Sequence, residues 1–340
     1  MECWILAALA GLLLLNVILC ATTVRKKRRR QEWLRKQELL EKTGLWQETA
    51  AALESTFQRF LPAELLEMMG IQDSLAQPSD ILEGQKELQA VILNGNIAGF
   101  QELIHDMETR EVYRLVNQSL AFSIPVVFEK NGMISRFQDA GIEALFTNRM
   151  EEGLDAAISI CEEMIKLGEW EKYKNFTIGL CYGRVSLGVV GYGTKLSVLT
   201  LSTYTGLGSF LQKSAPKYYA RILAAGSYLE KVEGFEKNYN HRFLGLFYIR
   251  DIDSAEKIFD VFDGDEAGVR NRKRKTRMLF ERGAGLFIDR QFAEARGYFI
   301  EVLKADRDDR AAREYVFLCD RYGGMSTEQA AKTGIYIESY

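Results

Sequence analysis

The residue types that most often do chemistry are few and scattered in this 340-residue chain. The two histidines, His105 and His241, lie far apart, which argues against a histidine triad or a multi-histidine metal site. Five cysteines (Cys3, Cys20, Cys161, Cys181, Cys319) are odd in number and lack Cys-x-x-Cys spacing. That speaks against a disulfide framework and a zinc site, and fits a reducing compartment. The stretch Gly183-Arg184-Val185-Ser186-Leu187-Gly188-Val189-Val190-Gly191 reads as strand, tight glycine turn, strand. It lacks the Gly-Lys-Ser/Thr ending of a phosphate loop, so its spacing suits a hairpin. No nucleophile–base pair stands out. Residues 270–277 hold six basic residues in eight, which read as a solvated face at the start of C-terminal helices. A net charge of −3 excludes a polyanion-binding body, so no nucleic-acid partner is expected.

The elements around these residues define the organisation. Apolar residues make up 47% and charged residues 27%, as in a folded protein with a sizeable core. Residues 3–24 carry no charge, and the run is long enough to cross a hydrocarbon core, which takes ~20 residues. Arg25-Lys26-Lys27-Arg28-Arg29-Arg30 follows at once. Positive charge stays on the cytoplasmic side, so the expected topology is a single-pass anchor in the cell membrane, N-terminus outside and main body cytoplasmic. A signal peptide would carry its positive charge before the apolar run, where only Glu2 stands. Residues 25–56 form a basic juxtamembrane segment and helical stalk. Within and just beyond it Leu39, Trp46, Leu53 and Phe60 recur every seven residues, as on a self-pairing face or a helix packed on its own domain.

The body alternates. A strand is expected over 88–93, helices over 97–107 and 111–130, and a hairpin over 133–137 and 142–146. A helix over 154–167 and strands over 176–181 and 185–190 follow, then a helix around 203–212 and strands over 221–225 and 243–249. This order indicates an α+β sheet with helices on one face. Residues 264–325 form a C-terminal helical extension, with helices over 280–289, 292–304 and 309–322, and 326–340 a flexible tail. One such hairpin is too short for a repeat array, so packing on the body is favoured over docking a protein partner.

Several segments together resemble the class III adenylate/guanylate cyclase catalytic domain, over about 57–322. They are Phe57-Gln58-Arg59-Phe60-Leu61-Pro62, Leu82-Glu83-Gly84-Gln85, Ile97-Ala98-Gly99-Phe100, Asn131-Gly132, Ala144-Leu145-Phe146 and, most specifically, Gly183 to Gly191. Phe292-Ala293-Glu294-Ala295 and Asp308-Asp309 are similar to the tail of many bacterial members. The resemblance implies a ferredoxin-like fold over 57–263 and a dimer whose sites form between two copies. It also implies a reaction joining the 3′-hydroxyl of a nucleoside triphosphate to its own α-phosphate. That reaction needs two divalent ions on two aspartates, and positive charge where charge builds up.

Carried over residue by residue, the pattern is nearly emptied. The metal aspartates fall at Asn96 and Ala140, with Asp139 beside the latter; a bulge at Gly141 would rotate Asp139 into place. Base-reading positions fall at Arg136 and Thr203. The ribose asparagine falls at Gly206 and the phosphate arginine at Phe210. No cofactor is expected, and Mg²⁺ or Mn²⁺ only with residual cyclase activity. Three readings stay open. The first is a catalytically inactive module for signalling, scaffolding or ligand sensing, paired with its own copy or a related cyclase-like chain. The second is a cyclase, or a subunit of a heterodimeric one. The third is a new activity in the old pocket.

Overall fold

The computed structural model describes residues 25–30, 32, 35–36, 85–166, 175–192, 195–249 and 253–324. The apolar run 3–24, the Leu39–Trp46–Leu53–Phe60 stripe and the tail 326–340 lie outside the described residues, while 25–30 are helical and exposed. Among the described residues no helix is long and apolar enough to cross a membrane. The chain divides into two compact units, Met1–Ala63 and Glu64–Tyr340. The second holds the sheet and its helices.

In chain order these elements are β1 (Gln85–Ile97), α1 (Phe100–Ile104), α2 (Thr109–Glu129), β2 (Met133–Gln138), β3 (Gly141–Phe146) and α3 (Met150–Lys166). There follow β4 (Phe176–Tyr192), β5 (Lys195–Leu201), α4 (Thr203–Ser214), a 3-10 turn (Ala215–Tyr218), β6 (Ile222–Ala225), α5 (Gly226–Leu229) and α6 (Phe235–Asn238). The chain closes with β7 (His241–Ile249), β8 (Ser254–Val261), α7 (Ala267–Ile288), α8 (Phe292–Ala305) and α9 (Arg310–Gly323). The described strands form one eight-stranded sheet of order β2-β3-β1-β4-β6-β8-β7, with β5 paired to β4.

Both faces of the sheet are covered where β1 is continuously buried, from Ala90 to Gly95. Side chains alternate across β1, so Val91 meets Gly153 of α3 while Asn94 meets Gly208 of α4. Helices therefore pack on both faces of the sheet, not on one as the sequence order suggested. The approach of α4 depends on glycine: a Cβ at Gly179 would collide with the Gly208 carbonyl, and one at Gly183 with the Tyr204 ring. This accounts for Gly183 without a turn. β4 runs unbroken through Gly188, paired along its length with β1 and then β5. Strands β5 and β8 went unforeseen, and the strand expected over 88–93 extends across all of β1.

The C-terminal helices fasten to the sheet through charge. Arg242 of β7, wholly buried, donates to Asp260 of β8 at 2.9 Å and to Asp309 at 2.6 Å. Lys273 of α7 is only 1% exposed and lies 2.9 Å from Asp260 and 2.7 Å from Asp265. Around them Arg270 donates to the Asp263 carbonyl, Arg272 pairs with Asp306, Arg274 donates to Asn240 and Arg277 pairs with Glu281. Lys273 and Arg270 thus fasten α7 to the body, while Arg274 and Lys275 of the same run are exposed. Burial works against the charge of Asp309, but Arg242 and the Ala312 N–H outweigh it and hold its carboxyl below the usual range.

Candidate functional site

The end of β1 and the β2–β3 turn bring Asn96 and Asp139 together, while Thr203, Gly206 and Phe210 stand apart on the outward side of α4. Asn96 lies near the C-terminal end of β1, and its amide donates to the Gln138 carbonyl at 3.2 Å and to Asp139 Oδ2 at 3.5 Å. Its own oxygen accepts the Ile97 N–H at 2.7 Å. Asp139 also accepts from Gln101 Nε2 at 3.2 Å. Asp139 is therefore beside Asn96, but not through a bulge at Gly141. Gln138 pairs directly with Gly141, and Asp139 takes a left-handed φ of 53° in the tight turn between them. Gly141 must stay bare, because a Cβ there would strike the Gly95 carbonyl and Asn96. The register shift falls instead between Ile134 and Arg136. Ala140 is wholly buried, and its carbonyl accepts the Ser119 hydroxyl of α2 at 2.5 Å.

Arg136, half-exposed on β2, pairs with Glu143 of β3 at 2.8 Å. Glu143 is almost fully buried and also accepts from Ser135 Oγ at 2.6 Å and Asn94 Nδ2 at 3.3 Å. Sequence reasoning passed over Glu143 and Asn94. The available signal was one acid inside the otherwise apolar strand Gly141–Phe146, since a buried carboxylate needs partners.

Helix α4 opens on Ser202, whose hydroxyl caps the Tyr204 N–H at 3.1 Å. Leu207, Gly208, Leu211 and Gln212 face the sheet, where Gln212 donates to the Asn96 carbonyl at 3.1 Å. Thr203, Gly206 and Phe210 lie on the opposite side, in a row that ends with exposed Lys213. The row turns away from the sheet. Thr203 also lines a groove of about 980 Å³ with Tyr182, Arg184 and Lys231. Cys181, beneath α4, contacts the Tyr204 carbonyl at 3.1 Å, and burial pushes its thiol far above the ordinary range, so it is no nucleophile.

The donors at the β1 end are one carboxylate and one amide whose oxygen is already engaged. Two divalent ions need several anionic oxygens, so this set does not fit such a centre. Among the described residues no three His, Cys, Asp or Glu side chains gather where they could hold a metal.

No model of a known protein family matches the chain. Over 276 residues it is 21% identical to the adenylate cyclase, terminal-differentiation specific, of Dictyostelium discoideum. That match spans 78% of this chain but 13% of the relative. Two structures of a bacterial light-regulated adenylyl cyclase superpose with TM-scores of 0.54 and 0.53, at 16% and 17% identity. They cover 65% and 66% of this chain and 64% and 65% of those chains. The second unit carries the mixed α/β fold of the class III adenylate/guanylate cyclases.

Proposed function

We propose that this chain is a membrane-anchored cyclase-like module that does not turn over nucleotide and acts by pairing, with a second copy or with a related chain. The observation that carries this reading is Asn96: where the reaction needs an anionic metal ligand, its amide donates to Asp139 and its oxygen is spent on Ile97. A second reading, a cyclase or one subunit of a heterodimeric cyclase, has two observations in its favour. Asp139 does reach Asn96, and Lys213 supplies a cation at the end of the outward row of α4. Product formation, alone or after mixing with related cyclase chains, separates the two.

Pairing is supported by exposed apolar residues on one face of the β4–β5 hairpin. Val190, Tyr192, Leu199 and Leu201 are all exposed, and the register places Val190, Leu199 and Leu201 on the same side. A tether to the membrane would raise the effective concentration of that face. A chain beginning at Gln31 is expected to sediment as a dimer at micromolar concentration, and Leu199→Glu with Leu201→Glu to make it monomeric. A wild-type chain that stays monomeric at high micromolar concentration, alone and with related chains, would refute pairing.

The anchor is proposed from residues 3–24 and the basic hexamer after them, with the body on the cytoplasmic side. Protease added outside intact cells should spare everything beyond Val24. Efficient cleavage of the body would overturn this topology.

A further inference from the structure

The turn that ends α4 is held by both ends of the C-terminal extension. The 3-10 turn Ala215–Tyr218 links α4 to β6, and Tyr219 closes it in the left-handed region, at φ 53°. A bulky residue there is strained and persists only where its surroundings hold it. The surroundings are two cations: Lys273 Nζ of α7 and Arg310 Cζ of α9 each lie 5.8 Å from the centre of the Tyr219 ring. Lys217, in the same turn, pairs with Glu314 of α9 at 2.9 Å. Lys273 is meanwhile locked by Asp260 and Asp265, and Asp309 at the head of α9 by Arg242. The clamp is therefore tied to the sheet on one side and to the end of α4 on the other.

We propose that the C-terminal helices act as a clamp on this turn and so set the placement of α4, with its outward row Thr203, Gly206, Phe210 and Lys213. Whatever moves α7 or α9 then moves α4 and that row. Only the importance given to that row rests on the pairing reading above. Hydrogen exchange tests the clamp and sedimentation tests pairing, so either can fail alone.

The test is hydrogen–deuterium exchange on the full chain, read at the amides of residues 207–213 and, as reference, in β1 and β4. Tyr219→Gly removes the ring from between the two cations while suiting the left-handed backbone, so the fold is kept. Lys217→Glu turns the outer pair into a repulsion, and adding Glu314→Lys restores it in reverse. Contributions of this kind correspond to about five- to tenfold faster exchange in α4 for Tyr219→Gly and about two- to fivefold for Lys217→Glu, with the sheet unchanged. The reversed pair is expected to return α4 to the wild-type rate. Unchanged α4 exchange in Tyr219→Gly, acceleration shared equally by the sheet, or failure of the reversed pair to restore protection would each overturn the clamp.

Discussion

Purified chain incubated with ATP or GTP and Mn²⁺ is expected to yield no cyclic nucleotide above background by mass spectrometry. Loss of one preorganised charge-stabilising donor typically lowers a rate by ~10²–10³. An arginine of the kind whose place Phe210 takes can be worth ~10³–10⁵ in phosphoryl transfer. Such losses do not multiply, because the groups act as a unit, but the largest alone leaves negligible turnover. Asn96→Asp by itself should not revive activity. It would set a second carboxylate against Asp139, yet Gly206 and Phe210 would stay unable to bind ribose or phosphate. Ala140→Asp would not repair the centre either, since that position is buried beneath α2. Multiple turnover by the wild-type chain, abolished by Asp139→Ala, would show that Asp139 serves as a metal ligand and that the enzyme reading is right.

The second large effect concerns Lys273. Its replacement by Met leaves Asp260 to Arg242 and Asp265 to Arg221 at 3.6 Å in a dry site, and breaking a buried ion network from one side costs about 3–5 kcal/mol. For a unit of this size that lowers the melting temperature by roughly 5–10 °C. Lys273→Met combined with Asp265→Leu removes one charge of each sign, and should recover much of the loss. If the double variant is no more stable than the single, charge balance is not what holds the extension in place. Acid should loosen the same junction through Asp309. Its folded pKa lies below the unfolded one, so its contribution is present above the unfolded carboxylate range and is lost as pH falls through the lowered value.

Much of the core was legible because it rests on period. The strand over 88–93, the apolar runs of 142–146 and 243–249 and the helices of 292–304 and 309–322 all stand close to where the pattern set them. What escaped was decided between distant segments. The glycines of β4 look like a turn in one dimension, and only the approach of α4 shows that they clear space for Tyr204 and Gly208. Strand β8 begins in a polar stretch, Ser254-Ala255-Glu256-Lys257, whose pairing is imposed by β6 and β7. The basic run 270–277 reads as solvated because its partners, Asp260, Asp263 and Asp306, stand elsewhere in the chain. At the site, residue types were readable but orientation was not. Nothing in Gln138-Asp139-Ala140-Gly141 announces that Asp139 takes the left-handed corner.

Strand β7 is the outermost of its side of the sheet, and α7 lies against it, with the Phe243 N–H donated to Glu281 at 3.0 Å. A chain ending before α7 would carry that strand bare, with unpaired backbone groups and the apolar side chains of Phe243, Leu244 and Phe247 beside them. Such a rim recruits strands from other molecules. Loss of the extension is therefore expected to appear in a cell as insoluble protein cleared by quality control, before any change in signalling is seen.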